Sequence, residues 1–301
     1  MGRRVLLATL GALVAGTLLA SPGEAQRQKM LQVKGSDTLV NLVQAWSEAF
    51  LEETGVFAAV TGGGSGTGIA ALIDGKTDLA NSSREIRPKE VALARARGVE
   101  PVEFAVAVDG LCVIVNAANP VQALSVADIG RLFRGEVANW KALGGNDAPV
   151  TLYGRQSNSG TYVFFQEHVL GSRDYAPTMN HMNGSAQIVE AVRKDPSAAG
   201  YVGIGYVLGE DGKVLPGIRA LDVAPAEGGP AVSPLDRAAV NSGTYPLSRP
   251  LLQYTNGKPA GDVARFLQFA LSPAGQKIAE EQGFYPVGGA LAERNRRALA
   301  P

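Results

Sequence analysis

The segment Gly154-Arg155-Gln156-Ser157-Asn158-Ser159-Gly160-Thr161 sets a guanidinium and a run of hydroxyls between a strand-like stretch, Val150–Tyr153, and a helix-like one, Tyr162–Gln166. A helix that starts there leaves the first-turn N–H groups of Ser159, Gly160 and Thr161 without intrahelical acceptors. Those donors, together with the positive end of the helix dipole, favour an anion. Arg155 adds a planar fork that grips an oxyanion with two parallel hydrogen bonds. Taken alone, the segment also reads as an ordinary N-capped helix beside a surface arginine.

Three more corners have the same character. Gly35-Ser36-Asp37-Thr38 carries two hydroxyls, Gly62-Gly63-Gly64-Ser65-Gly66-Thr67-Gly68 places Ser65 among glycines, and Asn81-Ser82-Ser83-Arg84 ends on a second arginine. The candidate binding residues are therefore Ser36, Thr38, Ser65, Ser83, Arg84, Arg155, Ser159, Gly160 and Thr161. All donate hydrogen bonds, and none forms a nucleophile–base pair. Charge-assisted hydrogen bonds contribute roughly 1.5–3 kcal/mol each. Several of them offset desolvation of a small divalent anion and still leave binding near the micromolar level, about −8 kcal/mol.

Other chemistries fit poorly. Gly75-Lys76-Thr77 has Ala70 where a phosphate-binding P-loop needs its first glycine. Gly66-x-Gly68-x-x-Ala71 matches a loose dinucleotide fingerprint of the kind any glycine-rich run produces. The two histidines, His168 and His181, have no metal-ligand spacing, so no metal and no cofactor is expected. Gly64-Ser65-Gly66 lacks the outer glycines of a nucleophile elbow. A secreted hydrolase using Ser65 or Ser159 is the enzymatic alternative; the expectation is no enzyme.

These corners need strand–turn–helix units to hold them, and the chain alternates short apolar runs with helical patterns throughout, the rhythm of an α/β protein. Leu31–Lys34 reads as a strand, and Leu39, Leu42, Val43, Trp46 and Phe50 recur at helical spacing up to Gly55. Phe57–Thr61 is a second strand, followed by a short helix over Ile69–Ile73; Pro88 opens another helix. Val102–Val108 and Leu111–Asn116 read as adjoining strands and Pro250–Tyr254 as another, which suggests two crossings between lobes. Ser125 and Ser272 have the spacing of helix caps, Ile188–Val192 reads as a helix, and Val223–Pro234 as a surface loop. Asp37 reads equally as a cap and as an acceptor at the anion site.

Composition narrows the partners. The 301 residues suffice for two cores, 46% apolar residues argue against disorder, and 6% aromatics leave few stacking platforms for single-stranded nucleic acid or sugars. Residues 1–25 form a leader: Arg3-Arg4, an apolar run from Val5 to Ala20, then Ser21-Pro22-Gly23-Glu24-Ala25 as a cleavage region. No cysteine lies near the cleavage region, so secretion without a lipid anchor is expected. The 28 basic and 28 acidic residues, less Arg3, Arg4 and Glu24, leave a net charge of about −1, with no broad attraction to nucleic acid or anionic membrane. Cys112 is alone, cannot form an intrachain disulfide, and reads as a small buried hydrophobe.

The chain resembles the periplasmic phosphate-binding proteins that serve bacterial phosphate ABC transporters. The resemblance rests on Gly35–Thr38, Gly62–Gly68, Ala80–Arg84, Leu132-Phe133-Arg134-Gly135 through Asn139-Trp140, Arg155–Thr161, Gly200-Tyr201-Val202 and Tyr245-Pro246-Leu247, in that order. It implies a two-lobed type 2 periplasmic-binding-protein fold, each lobe a mixed sheet flanked by helices and the two joined by two crossover segments. Lobe one would span 27–110 and 251–301, and lobe two 111–250. It further implies a monomer that closes on inorganic phosphate and delivers it to a membrane permease. Ser36, Thr38, Ser65, Ser83 and Arg84 would come from the first lobe and Arg155, Ser159, Gly160 and Thr161 from the second. Many members place an aspartate where this chain has Ser83; that carboxylate accepts the proton phosphate still carries and repels sulfate. Sulfate and molybdate therefore stand as alternative ligands, and Asp37 as a candidate substitute acceptor.

Overall fold

A computed structural model describes residues 30–300. The leader expected over residues 1–25 lies outside the described residues. The first part of the chain runs β1 (Leu31–Gly35), a 3₁₀ turn over Asp37–Leu39, α1 (Val40–Thr54), β2 (Ala58–Thr61), α2 (Ser65–Ile73), β3 (Leu79–Ser82), α3 (Pro88–Ala96) and β4 (Pro101–Gly110). On α1, Leu42, Val43, Trp46 and Phe50 fall at helical spacing and are all buried. Gly55 ends the helix in the left-handed conformation, φ 72°, which glycine adopts without a Cβ clash. Trp46 Nε1 donates to Gly275 O at 2.7 Å, so the buried indole loses no hydrogen bond.

The middle part runs β5 (Cys112–Asn116), β6 (Ala123–Ser125), α4 (Val126–Phe133), β7 (Thr151–Arg155), α5 (Gly160–His168), β8 (Asn180–Met182), α6 (Ser185–Lys194), β9 (Ala198–Val202), β10 (Ile218–Ala220), β11 (Asp222–Ala224) and α7 (Arg237–Ser242). The chain closes with β12 (Ser248–Asn256), α8 (Gly261–Ala270), α9 (Pro273–Glu281) and α10 (Gly289–Leu299). The caps expected at Ser125 and Ser272 form: their hydroxyls accept from Asp128 N at 3.0 Å and from Gly275 N at 3.1 Å.

Among the described residues there are two five-stranded sheets. The first has the order β2-β1-β3-β12-β4, with β1, β2 and β3 parallel and β12 antiparallel to both β3 and β4. The second has the order β10-β5-β9-β7-β8, with β7 parallel to β8 and β9 and β5 antiparallel to β9 and β10. The chain passes from one sheet to the other directly at Gly110–Cys112, where β4 gives way to β5. Such strands carry helices on their faces and read as near-continuous apolar runs, as Cys112–Asn116 and Ala198–Val202 do with every residue buried. The Cys112 thiol, buried within β5, donates to Gly110 O at 3.2 Å, and burial pushes its pKa well up.

Three local expectations are corrected. Helix α2 begins at Ser65 rather than Ile69, because Gly64 takes φ 93° and turns the chain early. Arg155 is the last residue of β7 and not part of the following turn. Residues 223–234 are a surface loop over 225–231 only: at its edges β11 pairs in parallel with β6, and Val223, fully buried, bridges Val232. Proline and glycine density concealed the short strand at its start.

Candidate ligand-binding site

The C-terminal ends of β1, β3 and β7 and the first turns of α2 and α5 point at one another. Gly35 makes this possible, since it holds φ 138° and a Cβ there would lie 2.1 Å from Asn81 O. The next residue, Ser36, donates its N–H to Asn81 O at 2.9 Å, which sets its side chain beside the end of β3. Ser36 Oγ then donates to Ser83 Oγ at 2.9 Å, and Ser65 Oγ lies 3.3 Å from Ser83 Oγ while accepting from Ser83 N at 3.0 Å. From the second sheet, Thr161 Oγ1 stands 3.1 Å from Thr38 Oγ1 and 3.3 Å from Ser83 Oγ. All five hydroxyls are buried.

Helix α5 brings its start to this cluster. Ser159 caps it, accepting from Tyr162 N, which leaves the N–H groups of Gly160 and Thr161 in the donor-rich first turn. A Cβ on Gly160 would come within 2.3 Å of Ser65 Oγ and 2.7 Å of Ser83 Oγ, so only a bare backbone lets the two sets of donors meet. Close backbone contacts flank the meeting: Gly66 N donates to Asn158 O at 3.0 Å, and Asn158 Nδ2 to Gly63 O at 2.8 Å. Ser36, Thr38, Ser65, Ser83, Ser159, Gly160 and Thr161 are thus brought together as the sequence suggests.

The charged residues are arranged differently from expectation. Arg155 is buried, with its N–H donating to Tyr201 Oη at 3.2 Å. Its guanidinium pairs with Asp37 Oδ2 and donates to Asn183 O at 2.9 Å, with longer contacts to Met182 O and Ser185 Oγ. Asp37 Oδ1 accepts from Gly63 N at 3.1 Å, so the carboxylate that could have capped a helix instead bridges the turn before α2 and the end of β7. Tyr206 Oη donates to Asp37 O at 2.5 Å, and burial together with the Asp37 charge pushes the phenol up to about 12.

Arg84 has partners of its own beside the cluster. Both its terminal nitrogens are held by Glu90, at 2.8 and 2.7 Å, and one also donates to Glu85 O; none of its hydrogen bonds goes to the hydroxyl cluster. Burial acts to raise the Glu90 pKa, but the hydrogen bonds from Arg84 and from Arg87 N, with the charges of both arginines, bring it below the usual carboxylate value. The guanidinium that does reach the cluster is Arg249, which sequence reasoning missed. It donates from Nη2 to Thr161 Oγ1 at 3.0 Å and from Nη1 to Ser83 O at 3.1 Å. Nε and Nη2 both contact Asp109 Oδ2, at 2.9 and 2.8 Å. A signal existed: Asp109 interrupts two apolar runs and Arg249 lies between Leu247 and Leu251, and a charge in a buried strand requires a partner.

Ser83 and Arg249 also line a cleft of about 450 Å³ whose other walls include Arg84, Arg87, Phe164 and His168. His168 stacks on Phe164 at 4.0 Å and bonds Phe164 O through Nδ1, while His181 bonds Arg155 O. Neither ring hydrogen-bonds a hydroxyl of the cluster. Among the described residues no group of three or more His, Cys, Asp or Glu is placed to hold a metal. A ring of neutral donors, backed by two arginines each already paired with an aspartate, can bind a small anion.

Residues 20–274 match the PBP superfamily domain. The phosphate-binding protein PstS of Pseudomonas aeruginosa is 33% identical over 324 aligned positions, covering 98% of each chain. The chain belongs to the PstS family. A second member, the phosphate-binding protein PstS of Bacillus subtilis, is 31% identical and covers 89% of this chain and 84% of its own. Among solved structures, a putative phosphate ABC transporter substrate-binding protein with bound phosphate from Clostridium perfringens superposes with a TM-score of 0.75. It is 27% identical and covers 86% of this chain and 100% of its own. The fold is the type 2 periplasmic-binding-protein fold of this family, with two mixed sheets flanked by helices.

Proposed function

We propose that this PstS-family chain is a substrate-binding protein that captures inorganic phosphate at the hydroxyl cluster and hands it to the permease of an ABC transporter. One observation carries the reading: hydroxyls from four separate chain segments approach within 2.9–3.3 Å of one another at the N-terminus of α5. Ser36, Thr38, Ser65 and Ser83 serve as ligands from one side, and Arg155, Ser159, Gly160 and Thr161 from the other. Arg84 supports the Ser83 turn through Glu90 rather than touching the anion. Residues 27–110 with 251–301, and 111–250, act as two lobes that open at the crossings to admit phosphate. Only the closed form makes every contact, so ligand favours closure. The chain works in the periplasm as a monomer without a lipid anchor, its leader of residues 1–25 removed, and carries no enzymatic activity.

Both carboxylates near the cluster, Asp37 and Asp109, are paired with arginines, and every other donor side chain there is a neutral hydroxyl. That arrangement favours a second reading, a tetrahedral oxyanion binder that also takes sulfate or molybdate, because a hydroxyl both donates and accepts. Calorimetric titration of ligand-stripped protein with phosphate and with sulfate, at pH 6 and pH 8, tests both. Phosphate heat with little sulfate heat supports the first reading; comparable heats support the second. Turnover of a chromogenic phosphate ester by metal-replete protein would replace both with a phosphomonoesterase.

A further inference from the structure

Arg249 and Asp109 face each other across the antiparallel pairing of β12 and β4, at the point where β4 ends and the chain leaves for the second sheet. Neither side chain is more than 1% exposed. Asp109 Oδ1 accepts from Ile204 N at 2.9 Å, which ties the pair to the 3₁₀ turn after β9, and the Arg249 guanidinium lies 5.2 Å from the Phe164 ring centroid on α5. One guanidinium therefore contacts Ser83 at the end of β3, Thr161 at the start of α5, and the aspartate on the neighbouring crossing strand.

The contact with Thr161 has a chemical consequence. A hydroxyl carries one hydrogen and two lone pairs. The Nη2–H of Arg249 occupies one lone pair of Thr161 Oγ1, and the adjacent positive charge makes its O–H a stronger donor. The hydrogen is then directed at the hydroxyl cluster, where Thr38 and Ser83 stand at 3.1 and 3.3 Å. Asp109 holds the guanidinium plane fixed and keeps the buried charge compensated.

From this arrangement, and resting on the phosphate reading above, we infer that Arg249 is a positioning residue for the anion, holding Thr161 as a polarised donor without touching the ligand. Its place on the crossing strand also makes the closed cleft and the crossings one hydrogen-bonded unit, since the same fork joins β12, the Ser83 turn and α5.

A double-mutant cycle tests this. Phosphate affinity is measured calorimetrically for the unaltered chain, Arg249→Lys, Thr161→Val and the double variant, with thermal stability recorded for each. Arg249→Lys keeps the charge and loses the fork. If Arg249 acts through Thr161, each single change weakens binding about tenfold, the loss of one charge-assisted hydrogen bond, and the double variant is no weaker than the poorer single one. Losses that multiply, or an Arg249→Lys protein that melts lower but binds within about twofold of the unaltered chain, overturn the inference. Should Arg249→Lys fail to fold, Asp109→Asn replaces it in the cycle, because it frees the guanidinium plane while keeping an acceptor oxygen, and the same outcomes decide. An unaltered chain that binds neither phosphate nor sulfate overturns the functional reading and this inference together; binding with multiplying losses overturns this inference alone.

Discussion

Two aspartate–arginine pairs flank the hydroxyl cluster; each buries its arginine, and they differ in what they join and in how far the aspartate is shielded. Asp37–Arg155 joins the turn after β1 to the end of β7, and the Asp37 side chain keeps 16% of its surface in solvent. Asp109–Arg249 joins two neighbouring strands at the crossings and is shut off from water. Water can replace part of what the first pair loses when it separates. Nothing can do so for the second, whose remaining member would be an unpaired charge in a low-dielectric interior. The first pair can therefore separate at lower cost; the second is suited to staying intact.

The sharpest way to break the comparison is Arg249→Leu, which strands Asp109. Denaturant unfolding should show a loss of about 3–5 kcal/mol; a loss under about 1 kcal/mol would put the two pairs on the same footing. Next in size is Gly160→Ala. The added Cβ displaces the Ser65 and Ser83 hydroxyls and presses on Ser65 Cβ, which cannot swing aside, so stability should fall by about 1–3 kcal/mol while phosphate binding by calorimetry weakens at least about tenfold.

Glu90→Gln probes a third arginine–carboxylate contact, local and partly exposed. The pKa of Glu90 is lowered in the folded chain, so its contribution is complete above the unfolded carboxylate value and disappears as pH falls through the lowered one. The variant should be less stable by about 1 kcal/mol at neutral pH, with the difference vanishing in acid, as followed by thermal melts across pH. The smallest effect belongs to Asp37→Asn. Both Asp37 oxygens are already engaged, by Gly63 N and by Arg155, so the ratio of phosphate to sulfate affinity should not change. A shift of that ratio would make Asp37 the acceptor for the proton on phosphate.

Arg84 and Arg249, both buried, show where sequence reading succeeds and where it stops. Arg84 follows directly on a hydroxyl cluster, which groups it with the ligands by local spacing; the carboxylate its guanidinium pairs with, Glu90, lies six residues further on. Arg249 is 140 residues from Asp109 and 88 from Thr161, and stands just after Tyr245-Pro246-Leu247 in a strand whose sequence does not name its partners. Local spacing identifies which corners carry donors, because caps, glycine turns and helix starts are set by nearest neighbours. It says little about which long side chain turns into a cleft, because a guanidinium reaches several ångströms and takes the nearest carboxylate that packing provides.

By itself, the sequence determined the α/β alternation, the strand–turn–helix corners, the hydroxyls at their tips and the start of α5 at Ser159, since each depends on backbone propensity and apolar periodicity over a few residues. Only the tertiary structure decided that those hydroxyls meet, that Asp37 answers Arg155, and that Arg249 rather than Arg84 stands behind Thr161. Those outcomes depend on sheet register and on the pairing of β12 with β4, contacts between residues far apart in the chain that no local pattern encodes.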